Sequence, residues 1–281
     1  MKLNRSFFVS SCRAVFVTAT VAGAISFALG QTAATRQSSV ELGSRTAKQG
    51  FRNEDEIKAK FENWSADSDA KAWLTTMGYK TSEVESVTAI KPHGEKADIE
   101  ITVKTKTGSR TEGVSVKLVS SPNGFNQIDK RWLSHYAAMW KMPSDVQRAL
   151  KLFVGETPPT RKGRSAERMF LDEIDESGRK AVIAFFETHK ADIVSDLFQG
   201  DGRYSADWVM VALKATENTR WTLQRVDDVI RFYSDGPVVL TSGGNLRIGR
   251  ITMQRKGGDG GRDTAKMLQF KIDPTEIVSS K

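Results

Sequence analysis

The sequence predicts an α/β chain in which extended and helical segments interleave. Three observations carry that prediction. From Asp98 to Leu118 apolar and polar residues alternate with the period of a half-buried strand. Stretches with amphipathic helical spacing recur on both sides of it, in residues 57–64, 145–154 and 178–198. Ala206 to Ala215 (ADWVMVALKA) is apolar enough for a buried strand. At 281 residues the chain suffices for one large domain or two small ones.

Residues 1–39 stand apart. Lys2 and Arg5 precede an apolar run from Val15 to Gly30, and Ala28-Leu29-Gly30 resembles a signal-peptidase site. The run is short for a membrane span. The stretch reads either as a secretory signal or as translated upstream sequence, and the globular pattern begins at Val40-Glu41. Lys2, Arg5, Arg13 and Arg36 place four of the eight net positive charges here, leaving +4 for the rest. The pI near 9.5 suggests a polyanionic partner. That charge must be clustered, because the body is only mildly basic. The single cysteine, Cys12, also lies here, so the body can form neither a disulfide nor a cysteine zinc site.

In the body, Ile57, Phe61 and Trp64 predict a helix with Asn53 as N-cap and Glu56 as its capping partner. Glu54, in the first turn, either complements the helix dipole or delivers a carboxylate to an active site. A second helix runs from Asp67 to Met77 and ends at Gly78. Val84 to Ile90 is a strand. Farther on, Trp132, Tyr136, Met139 and Trp140 mark a helix packed by its aromatic side. Two or three helices fill residues 145–200, interrupted by the basic loop PPTRKGRSAER, which is either solvated or in contact with a backbone phosphate. Trp221 to Tyr233 reads as a helix stopped by Asp235-Gly236-Pro237. Val238–Thr241 and Leu246–Gln254 read as strands joined at Gly243-Gly244-Asn245, and Met267 to Ile272 as a last strand.

Two stretches carry chemistry. In DIEITVKTKTGSRTEGVSVKL, Ile99, Ile101 and Val103 share one strand face, as do Val114, Val116 and Leu118. Pairing those faces puts Asp98, Glu100, Ser115 and Lys117 on the other. An acid and a lysine on adjacent strands suit a Mg²⁺-dependent phosphodiester hydrolase, the carboxylate holding the metal and the lysine orienting water. The same pattern also suits an ordinary solvated face. Just beyond lie Asn126, Gln127 and Lys130, at a predicted strand-to-helix junction, where amides can read base edges and a lysine can hold phosphate or guanine. The second stretch, QRKGGDGGRDTAKMLQFKIDP, sets Gln254, Arg255, Lys256, Asp259 and Arg262 among four glycines. These side chains match guanine, adenine and cytosine edges. The loop also fits a plain hairpin or a nucleotide cradle, although it lacks P-loop order. His93, His135 and His189 have no ligand spacing.

ELGSRTAKQGFRNE, VSVKLVSSPNGFNQIDKRWLSHYAAMWK, ADWVMVALK and QRKGGDGGRDTAKMLQFKIDPTE together resemble the type II restriction endonucleases that cut GCGC. The resemblance covers residues 40–278 in order, so the endonuclease domain would be residues 40–281. It implies the restriction-endonuclease-like α/β core, a mixed central sheet flanked by helices, acting on double-stranded DNA with Mg²⁺. It also implies a partner methyltransferase, a monomer or weak dimer without stable membrane association, and action in the cytoplasm. Asp98 matches the family's first acid and Lys117 its lysine. Ser115 stands where the family has a carboxylate or amide, and Glu100 or Glu54 could compensate. Metal contacts would then come from Asp98, the Val116 carbonyl and Glu100. Gln127, with Lys130 nearby, would probe the minor groove or central step, and the Gln254–Arg262 loop would read G and C. An exported nuclease and a non-cleaving DNA-binding protein are the rival readings.

Overall fold

The computed structural model describes residues 41, 44–45, 47–120, 124–215, 219–258 and 261–279. The leader and Asp259 lie outside these residues. The described part holds two five-stranded sheets where the resemblance implies one. The first is the expected mixed sheet flanked by helices. It contains β1 (Val84–Ile90), β2 (Ile99–Thr105), β3 (Gly108–Val119), β5 (Trp208–Leu213) and β6 (Arg220–Arg225), in the order β1-β2-β3-β5-β6. Only β3 and β5 run parallel. The second sheet is antiparallel, in the order β4-β10-β9-β8-β7, from β4 (Asn126–Arg131), β7 (Val238–Leu240), β8 (Leu246–Ile248), β9 (Ile251–Arg255) and β10 (Leu268–Ile272).

Helix α1 (47–62) and α2 (Ser68–Thr76) cover the face of the first sheet made by Ile99, Ile101, Val103, Val114 and Met210. Asp67 caps α2, accepting from the Ala70 N–H, and Gly78 follows it with φ +90°. The second sheet buries Met253, Leu268, Phe270 and Ile272 against α3 (Leu133–Met139), α4 (Ser144–Val154), α5 (Glu176–Thr188), α6 (Lys190–Phe198) and α7 (Val226–Ser234). Val209 of β5 joins that core, while the face of the first sheet under α1 and α2 forms a separate one. Tyr136 is fully buried and stacks on Trp140, as the aromatic spacing predicts. A short helix, α8 (Thr275–Ser279), closes the described chain.

Four segments depart from the sequence reading. The helix expected from Trp221 begins at Val226, because Arg220–Arg225 pairs antiparallel with β5 and completes the first sheet. The run Leu246–Gln254 is two strands. Gly249 has φ +55°, and Ile248 pairs with Ile251 across it. Asn126–Arg131 is not a loop but β4, on the edge of the second sheet. The N-cap expected at Asn53 lies inside α1: Asn53 is 3% exposed, with no hydrogen-bond partner for either side-chain polar atom.

Candidate active site

The β2–β3 hairpin has the register that alternation demands. Ile99 pairs with Val114, and the Asp98 N–H donates to the Val114 carbonyl at 3.0 Å. The apolar partners are buried under α1 and α2, which forces Asp98, Ser115 and Lys117 to the opposite face. There they meet. Asp98 Oδ2 accepts from the Val116 N–H at 2.6 Å and from Ser115 Oγ at 3.3 Å. Lys117 Nζ donates to Ser115 Oγ at 2.9 Å and to the Val116 carbonyl at 3.2 Å, and lies 3.8 Å from Asp98 Oδ2. The three line one cleft of about 420 Å³.

Glu54, on α1, lies close enough to Asp98 to feel its charge but is not among the residues that line the cleft. Its carboxylate pairs with Lys91 Nζ at 3.1 Å and is mostly covered. Burial and the negative charge of Asp98 together raise its pKa, against the pull of Lys91. Asp98 and the Val116 carbonyl, with the Glu54 carboxylate on α1 within electrostatic range, are oxygen donors of the kind a hard divalent cation takes. Asp98 and the Val116 carbonyl therefore fit Mg²⁺, with Glu54 as the nearest candidate for a further oxygen. Glu100 is not brought in. It lies two residues farther along β2, opposite Gly113 and outside the cleft lining, because a strand advances about 3.3 Å per residue.

The far wall of the cleft belongs to β4, from Gln127 to Arg131. Asn126 is not part of that wall. Its amide donates to the Gly124 carbonyl at 3.0 Å and shapes the chain before the strand. Gln254, Lys256 and Arg262 lie at or after the end of β9, with Arg262 exposed. Arg255 is turned inward. Its Nε donates to the Ala265 carbonyl at 3.2 Å, and its Nη2 pairs with Glu167 at 3.0 Å. It must exchange that carboxylate to meet a base. The basic loop is pinned rather than free. Arg164 pairs with Asp172 and Glu173, and Arg168 stacks over Phe153 and Phe170. Burial and the positive charge of Arg255 bring Arg168 down to a pKa of about 10.

Two groups escaped the sequence reading. A buried network joins Lys96 and Asp129 across the cleft floor, with Tyr136 and Arg131 also on Asp129 and the Lys96 ammonium also on the Leu197 carbonyl at 2.9 Å. Burial opposes the Asp129 charge, but Lys96, Tyr136 and Arg131 hold its pKa below the usual range. Gln269, 7% exposed on β10, donates to Gln127 Oε1 at 2.7 Å. Its place on the polar face of the last strand is the only sequence signal for it. Among the described residues, no three His, Cys, Asp or Glu side chains cluster as a metal site, and no helix is long and apolar enough to cross a membrane.

Comparison with curated proteins finds no match. Among solved structures, the chain is similar to that of the restriction endonuclease MspI in complex with its cognate DNA. The two share 12% identity with a TM-score of 0.49, over 78% of this chain and 83% of that one. The family model of the R.HinP1I restriction endonuclease matches residues 77–278, most of the chain and both site-bearing stretches except Glu54. The chain therefore belongs to the R.HinP1I restriction endonuclease family, and is a type II restriction endonuclease.

Proposed function

We propose that the protein is a Mg²⁺-dependent site-specific deoxyribonuclease that hydrolyses double-stranded DNA at GCGC. The observation that carries this reading is the cleft itself, with Asp98, Ser115 and Lys117 on one wall and Gln127 and Lys130 on the other. One wall suits phosphodiester hydrolysis and the other suits contact with bases and phosphates.

Asp98, Glu54 and the Val116 carbonyl would hold Mg²⁺, which supplies Lewis-acid polarisation of the scissile phosphate and a more acidic water. Lys117 orients the attacking water and stabilises the charge that develops on the phosphate. Ser115 carries no charge. Its hydroxyl accepts from Lys117 and donates to Asp98, so it spaces the two groups without neutralising either. Glu54 replaces the carboxylate that Ser115 does not provide. On the recognition side, Gln127 and Lys130 would contribute from β4, and the glycine-rich stretch would supply Gln254, Lys256, Asp259 and Arg262, with Arg255 once it leaves Glu167. Guanine acceptors suit the basic residues, and cytosine amino groups suit Asp259. In this reading residues 40–281 are the catalytic unit and residues 1–39 stand outside it. The enzyme works in the cytoplasm as a monomer or weak dimer, beside a methyltransferase that protects the host's own sites.

Plasmid digestion in Mg²⁺ tests this reading, with plasmids that contain GCGC, lack it, or carry it methylated. Discrete bands only from unmethylated GCGC plasmids are expected. Lys117→Ala should lower the cleavage rate by about a hundredfold or more while DNA is still retained. Retention on GCGC duplexes without cutting by the wild type would show that Ser115 has silenced the site. Cutting of every plasmid alike would overturn the specificity.

A further inference from the structure

The geometry points to Gln269 as a positioning residue that fixes which end of the Gln127 amide faces the DNA cleft and locks Gln127 to Gln254. The inference rests on the proposed reading that Gln127 and Gln254 meet DNA.

Three strands bring the three glutamines together. Gln254 of β9 pairs directly with Gln269 of β10, and Gln269 pairs with Lys130 of β4. Gln127 and Lys130 are three residues apart, so in a regular strand they would point to opposite faces. The β4–β10 register shifts between Phe270 and Lys271. Asp129 faces Phe270 and Gln127 faces Lys271, which leaves Ile128 unpaired. That bulge re-phases the strand and returns Gln127 to the face of Lys130, Gln269 and Gln254. The side chains then form a ladder. Gln254 Nε2 donates to Gln269 Oε1 at 3.3 Å, and Gln269 Nε2 donates to Gln127 Oε1 at 2.7 Å.

Gln269 is buried, and a buried amide is costly unless bonded at both ends. Both of its ends are satisfied, and every donor in the ladder points from Gln254 toward Gln127. Gln127 has its oxygen occupied and is left with its NH₂ for the cleft. A donor there matches acceptor positions on base edges and rejects an amino group in the same place. The same ladder ties the edge strand that lines the active-site cleft to the strand that leads into the glycine-rich stretch. A shift at one reading element is thereby felt by the other.

The experiment measures cleavage rates on GCGC plasmids and on every single-base variant of the site. It uses the full-length wild type, Gln269→Leu, Gln269→Glu and Gln127→Leu, with each Gln269 change also made in the Gln127→Leu background. Gln269→Leu frees Gln127 and should lower the ratio of cognate to altered-site cleavage by about tenfold. Gln269→Glu can only accept, so it turns the Gln127 amide over and should change which altered site is cut best. Each change should have a smaller effect once Gln127 is leucine, the remainder acting through Gln254. If Gln269→Leu fails to fold, Gln269→Glu, of the same shape, carries the test. An unchanged ratio in both folded variants, or an equal loss in the Gln127→Leu background, overturns the inference. A wild type that prefers another sequence overturns the GCGC assignment alone, and the ladder is then scored on the site it does cut.

Discussion

At the scale of single residues, the site is held by charges that oppose one another. Ser115 contributes a hydroxyl on the strand, and the acid that feels the charge of Asp98 lies on α1 as Glu54. Its raised pKa shows the cost: burial and Asp98 both disfavour its ionised form. Glu54→Gln should therefore raise the melting temperature of the metal-free protein at neutral pH, because it removes a buried charge facing another of the same sign. The same variant should lose most of the thermal stabilisation that Mg²⁺ gives the wild type, since ligand binding stabilises in proportion to affinity. Differential scanning fluorimetry with and without Mg²⁺ reads both effects. A metal-free melting temperature that falls would refute the repulsion. The hairpin residues were legible in the sequence because strand parity alone sets their common face. Glu54 was legible only as two alternatives, dipole partner or site carboxylate, because its nearness to Asp98 depends on where α1 packs against the sheet.

At the scale of elements, backbone geometry overrode local pattern. Leu246 to Gln254 alternates as one strand, yet Gly249 folds it back on itself. A Cβ at Gly249 would lie 2.4 Å from the Tyr233 carbonyl oxygen, and its φ of +55° is unfavourable for side-chain-bearing residues. Gly249→Ala should destabilise the protein by about 1–3 kcal/mol, readable as a lower urea midpoint. Unchanged stability would mean that the turn relaxes freely. Trp221–Arg225 has apolar spacing compatible with a helix, but its backbone groups complete the edge of β5 instead. Pairing with a distant strand leaves no trace in local periodicity. The Ile128 bulge is the same kind of feature, visible only once β10 lies alongside β4.

At the scale of the molecule, the two sheets join across the cleft floor. The Lys96–Asp129 pair spans that joint, two residues before Asp98 on one side and two after Gln127 on the other. Its partners depress the Asp129 pKa. The stability it contributes is thus fully present above the ordinary aspartate value of about 3.9 and is lost as the pH falls through the depressed value. Asp129→Asn should be less stable at neutral pH and show a flatter loss of stability on acidification below pH ~4. Because removing one partner leaves a buried charge, the neutral-pH cost should be about 3–5 kcal/mol. Parallel acid-unfolding curves for the two proteins would rule out that role.

The sequence by itself determined the β2–β3 hairpin, the buried β5 strand, the second helix and the two polar stretches, and the family match agrees with their resemblance to restriction endonucleases. Each is a local pattern whose period or composition survives without knowledge of its neighbours. Only the tertiary structure decided that the strands divide into two sheets, that Gln127 shares a face with Lys130, that Arg255 leans on Glu167, and that Gln269 bonds both Gln127 and Gln254. Those outcomes depend on pairings between residues far apart in the chain. A buried amide or guanidinium takes its partner from whatever the fold places beside it.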